Sequence, residues 1–215
     1  MGIQNLFADG VTLAGGDSTF KAARSTLRPM EALAWHDVAA KTGNLTAVAA
    51  AGAIFTLRNL AANPLIVRRI GIGFTLTTAF TTAQLMEFGL MFCRAFTVTE
   101  TTNATAIALT GSNTKVRTSL APPTSVNAII ATSAAMTGST KTRDANYMGI
   151  QSFWAGAIGN GIAPSMNNLF SHDAGDYPIV LAQNEGISIE NILLMGAAGV
   201  GVAYVNFEVA EATSY

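Results

Sequence analysis

The stretch LIVRRIGIGFTLTT, residues 65–78, alternates with a period of two. Ile66, Ile70, Ile72, Phe74 and Leu76 point one way, with Arg68 the sole intruder. Val67, Arg69, Gly71, Gly73, Thr75 and Thr77 point the other way. Such a pattern means a strand with one buried face, the other lying near solvent or a second subunit. The chain closes on a second clear case, AYVNFEVAE. There Val205, Phe207 and Val209 face a core while Tyr204, Asn206 and Glu208 face out.

Before and between these two runs lie further short segments rich in strand formers. They are AIFTLRNL (53–60), LMEFGLMFCRAF (85–96), TAIAL (105–109), VNAIIAT (126–132) and PIVLA (178–182), then ISIENILLM after a turn at 183–186. Thr, Gly, Asn and Pro separate them, and no alternation of strand with helix appears. The predicted fold class is all-β: a β-sandwich of jelly-roll type with about eight strands. GSNTKVRTSLAPPTS reads as a turn-rich loop. Residues 144–170 read as the least regular part, with Phe153 and Trp154 pinning a loop to the core.

Residues 1–46 differ from the rest, carrying eight charges and the turn-former Gly15-Gly16-Asp17. PMEALAWHDVAAK predicts a short helix, with Pro29 at its first position, Lys41 in its last turn and Gly43 as the stop. The expected organisation is an N-terminal arm over 1–46, ordered on contact with a neighbour, and a sandwich over 47–215. Removing residues 1–40 is expected to leave the fold intact and to weaken attachment to a partner.

Only 12% of the residues are charged, about half the usual share, and mean hydropathy is +0.37. A monomer of that composition disperses poorly, so copies of itself or a partner are expected to cover much of its surface. The net charge of −1 hides an asymmetry. All 12 Lys and Arg lie at or before Arg143, giving residues 1–143 a charge of +6 and residues 144–215 a charge of −7. Either the two regions neutralise each other within one copy, or one subunit's acidic end meets a basic end elsewhere. A pI near 6.1, with no basic run beyond Arg68-Arg69, points away from nucleic acid. Arg68, Arg69 and Arg94 are expected at an exposed or interface position, with at least one paired to an acid from 144–215. No membrane partner is expected, because the longest uncharged apolar run near the C-terminus, ILLMGAAGVGVAYV, is too short for a spanning helix. No secretory signal is visible, so assembly in a cytoplasm is expected and the sequons at Asn44 and Asn103 carry no meaning there.

Catalytic constellations are sought one by one. His36 and His172 have no His or Cys at ligand spacing, so no zinc site is expected. GAIGNG and GAAGVG have the glycine order of turns rather than of a dinucleotide loop. Cys93, inside LMFCRAF, reads as a buried inert thiol. His172, Asp173, Asp176, Glu185 and Glu190 crowd the stretch SHDAGDYPIVLAQNEGISIE. It reads as an Asx-rich turn, a strand, a hairpin turn and a strand, with a hard cation on Asp173 and Asp176 as the alternative. No catalytic, cofactor-binding or metal-binding residue is assigned, and no cofactor is expected.

Several segments together resemble a group of small virion proteins of tailed bacteriophages. They are RRIGIGFTLTTAFTTAQLMEFGLMFCRAFT, SNTKVRTSLAPP, VNAIIATSAAMTGS, HDAGDYPIVLAQNEGISI and GVAYVNFEVAEA. The resemblance spans about residues 50–212 and leaves the first 46 outside it. It implies a non-enzymatic decoration or cement protein, a homotrimer bound to the major capsid protein on the capsid exterior of the virion. A tail, collar or fibre-base module is the alternative. A carbohydrate-binding jelly roll is a third, resting on Tyr147, Trp154 and Tyr177 as its only aromatic candidates.

Overall fold

In the computed structural model, the residues described are 35–109, 126–156, 166–172 and 177–211. Eleven strands occur among them: β1 His36–Lys41, β2 Gly52–Asn59, β3 Leu65–Thr78, β4 Gln84–Val98, β5 Ala104–Ile107, β6 Val126–Ala131, β7 Thr140–Ala155, β8 Asn167–Ser171, β9 Ile179–Leu181, β10 Gly186–Asn191 and β11 Val200–Glu211. They form two antiparallel sheets packed face to face, so the protein is an all-β sandwich. The first sheet runs β1-β11-β3-β8, with β9 also pairing β3. The second runs β5-β6-β2-β10-β4-β7.

Aromatic pairs tie the layers together. Phe55 of β2 meets Phe207 of β11 with ring centroids 5.0 Å apart, and Phe74 of β3 meets Phe88 of β4 at 5.4 Å. Phe153 of β7 closes the group against Phe88 at 5.9 Å. These tilted contacts suit the ring quadrupoles and add to the area the rings bury.

The intruder Arg68 has a structural explanation. Arg69 pairs with Glu208 and Val67 with Val209, which leaves Arg68 as the extra residue of a β-bulge. The bulge shifts the alternation by one. Val67, rather than Ile66, therefore joins Ile70, Ile72 and Phe74 in the core cluster, and Arg68 reaches solvent.

Two expectations need correction. The helix predicted from Pro29 to Lys41 is not formed over its described part, where His36–Lys41 is β1. In HDVAAK, His36 and Val38 turn inward while Asp37, Ala39 and Lys41 turn outward, and the strand pairs with β11 along its whole length. Six backbone positions matched to a partner outweigh the weak helix preference of Ala and Lys. The sandwich accordingly starts before residue 47. Its compact unit is Ala34–Tyr215, and the crossing from β1 to β2 is tied down by Gly43 N–H to Ala131 O at 3.0 Å and Leu45 N–H to Gly201 O at 2.8 Å.

The second correction concerns the stretch 144–170. Much of it is β7, the longest strand, and β8 follows. Trp154 does not anchor a loop, being 63% exposed, whereas Phe153 beside it is buried as expected. The loop GSNTKVRTSLAPPTS and most of GAIGNG lie outside the described residues.

Candidate functional site

Two features of the second sheet are built for more than core packing. The first is a polar cluster on its outer face. On β10, Ile187 and Ile189 point into the core, which sends Ser188 and Glu190 to the opposite face. Neither is exposed, because the chain after β4 and the first half of β7 lie over them. Ser188 Oγ donates to Glu190 Oε1 at 2.8 Å. Arg143 and Tyr147 of β7 donate to Glu190 Oε2, the tyrosine at 3.4 Å. A second carboxylate, Glu100, accepts from Thr56 Oγ1 at 2.7 Å and from Lys141 Nζ. Tyr147 packs against Gly89 of β4, where a Cβ would come within 2.4 Å of its ring.

Both carboxylates are buried, and all four of their oxygens accept from donors of the same chain. Each charge is neutralised by one cation. Burial with complete pairing makes a clamp, holding β7 and residue 100 to the β2–β10–β4 surface. Burial also pushes the Tyr147 hydroxyl above its ordinary range, with the Glu190 charge adding to the effect.

The second feature is the outer half of β7. From Ala145 to Ala155 it carries no charge. β7 pairs with β4 on one side, and no described strand pairs with its other side. By register Ile150, Ser152 and Trp154 share the outer face with Gly89, Glu87 and Leu85 of β4. Ile150, Trp154 and Leu85 are all exposed, as is Met148. The segment after β10 adds Leu193 and Leu194 at the same end of the sheet, for Ile192 N–H bonds to Glu87 O at 2.7 Å. An apolar patch of this kind marks a contact surface.

The acidic stretch 171–190 is not a single site. His172 follows β8 of the first sheet, its N–H bonded to Arg68 O at 2.8 Å. Glu185 sits in the β9–β10 turn, where Asn184 takes a φ of 60°. The expected hairpin is not formed: β9 pairs β3 in the first sheet and β10 pairs β2 and β4 in the second, so this turn carries the chain from one sheet to the other. Glu190 belongs to the clamp. Asp173 and Asp176 lie outside the described residues. Among the described residues, no group of three or more His, Cys, Asp and Glu side chains is placed to hold a metal. Among the described residues there is no helix long and apolar enough to cross a membrane.

His36 is buried in β1. Cys93 is buried too, and desolvation pushes its thiol up against the opposing hydrogen bond to Ser188. Tyr147 has joined the clamp, whereas Trp154 and Tyr177 are exposed on different elements. Sequence reasoning missed Glu100, Lys141 and Arg143. The one available signal was Ser188 and Glu190 sharing the face opposite two isoleucines.

The arginines behave as expected. Arg68 pairs with Glu208 at 3.2 Å, and Arg94 bridges Glu185 at 2.5 Å and Asp144 at 3.4 Å. Arg69 pairs instead with Asp37 at 3.4 Å. With Arg143–Glu190, four acids of the −7 region meet cations of the +6 region inside one copy.

The class defined by this fold and surface is an antiparallel β-sandwich with an edge strand that is uncharged over Ala145–Ala155. The chain matches no protein-family model, and comparisons with curated proteins and with solved structures return no match.

Proposed function

We propose that the chain is a structural virion protein, decorating or cementing a tailed-phage capsid by self-association and by binding the major capsid protein. The observation that carries the reading is the exposed, charge-free half of β7 on a chain whose described ions are largely paired internally. No charge lies along Ala145–Ala155 to disperse that apolar surface, and contact with other chains covers it instead. Assembly as a homotrimer on the capsid exterior, without catalysis or cofactor, belongs to the same reading.

The finer fold proposed is a jelly roll. Setting aside the β5–β6 hairpin, and taking β8 and β9 as one interrupted edge, the order β1-β11-β3-β8/β9 faces β2-β10-β4-β7. Eight strands wound this way make the two nested Greek keys of that architecture, which capsid proteins and lectins share. Fold alone does not choose between those functions. Exposed Trp154 and Tyr177 keep a glycan-binding reading as the alternative within the architecture. A tail, collar or fibre-base position is the alternative within the virion.

The deciding experiment is electron microscopy of intact particles together with binding of the purified chain to undecorated capsids. Density for this sandwich on the shell, and saturable binding, are expected. Density confined to the tail, or stoichiometric glycan binding with no affinity for shells, overturns the capsid reading.

A further inference from the structure

We propose that the outer half of β7 is where two copies of this chain join, strand against strand and antiparallel, about a twofold axis near Ile150. The inference rests on the self-association reading; a twofold contact of this kind does not lie within a threefold trimer and instead joins a copy of one trimer to a copy of the next.

Three observations favour a second copy as the occupant. An edge strand offers a row of backbone donors and acceptors, and another edge strand is the chemical match for it. Ala145 to Ala155 spans eleven residues without a charge. An antiparallel strand can therefore meet its own copy with no like charges opposed, which a charged edge cannot do. The charged residues that precede this segment are already engaged at home: Lys141 with Glu100, Arg143 with Glu190 and Asp144 with Arg94. They neither repel a second copy nor need one.

Geometry also sets the side of approach. Gln151 Nε2 donates to Asn168 O of β8 at 3.2 Å, so β8 backs this edge from the first sheet. Among the described residues, no strand lies beyond β7 in the plane of the second sheet, and Ile150 and Trp154 are exposed on its outer face. Two copies paired there extend the second sheet across the axis and bring both apolar rows together. Shorter uncharged edges, β8 with five residues, β5 with four and β9 with three, offer fewer backbone bonds.

Single cysteines placed in turn at Met148, Ile150, Ser152 and Trp154 test the symmetry, with buried Cys93 as the internal control. In an isologous antiparallel pair, only positions near the axis oppose themselves. Oxidation is therefore expected to cross-link the Ile150→Cys chain, or an immediate neighbour in the scan, into dimers and to leave the outer positions monomeric. Ile150→Lys is expected to weaken self-association about 100-fold in sedimentation, by setting two charges against each other across the axis, with an unchanged melting temperature. An oligomer unaffected by Ile150→Lys, or one in which no position cross-links, overturns this contact while self-association stands. A wild-type chain that remains monomeric at millimolar concentration overturns both.

Discussion

Arg143 of β7 reaches across β4 to Glu190 of β10, and that carboxylate is 1% exposed. The pair joins three neighbouring strands through side chains as well as through the backbone ladder. It also fixes the charged part of β7 to the sheet, while the uncharged part has no described strand on its other side.

Arg143→Ala leaves the Glu190 charge buried with only neutral donors. The expected loss is about 3 kcal/mol in urea unfolding, near the low end for a broken buried pair because Arg143 is itself partly exposed. The double variant Arg143→Met/Glu190→Leu removes both charges and is expected to recover most of it. A double variant no more stable than the single one would show that the ion pair is not the source.

Gly43 sits where the chain passes from the first sheet to the second. A Cβ there would fall 1.9 Å from the carbonyl oxygen of Thr132, and a backbone atom cannot step aside as a side chain can. Gly43→Ala is expected to cost about 3 kcal/mol or more, read as a lower urea midpoint with an unchanged slope.

Cys93 makes stability fall at alkaline pH. Burial holds the folded thiol above its ordinary value of 9.0, so above that pH the unfolded chain has lost a proton that the folded chain keeps. The thiol's contribution is complete below pH 9.0 and declines as the pH rises towards the folded value. Cys93→Ala is expected to flatten the alkaline limb of a stability–pH curve. Thiol reagents are expected to label the wild type only once it unfolds.

Truncation should separate the first residues from the sandwich. Deleting residues 1–33 is expected to leave the melting temperature unchanged and to weaken binding to undecorated capsids. Deleting through Lys41 removes β1 with buried His36 and Val38 and uncovers β11, at an expected cost of at least about 2 kcal/mol. Equal stability for the two truncations would contradict the place of β1 in the sheet.

What the residues determined by themselves was the layering. The period of two in 65–78 and 203–211 recurs as β3 and β11, which lie side by side in the first sheet. A half-buried strand must write its two faces into its sequence, since each face meets a different solvent. The turn at Asn184 was legible for a similar local reason, since positive φ selects few residues, but the hairpin expected there is a crossing between sheets, which no local signal shows.

Tertiary structure alone decided the rest. TKTRDANYMGIQSFWA shows little alternation because an edge strand carrying a polar clamp and an exposed rim has no single apolar face, and the ladder with β4 makes it a strand. HDVAAK looks locally helical, and only the pairing offered by β11, over 160 residues away, makes it β1. The partners of Glu100 and Glu190 come from residues at least 41 positions distant, apart from Ser188 next door, and no local pattern encodes such distances. Periodicity records the environment of a face. Which strand lies beside which, and which charge meets which, exists only once the chain has closed on itself.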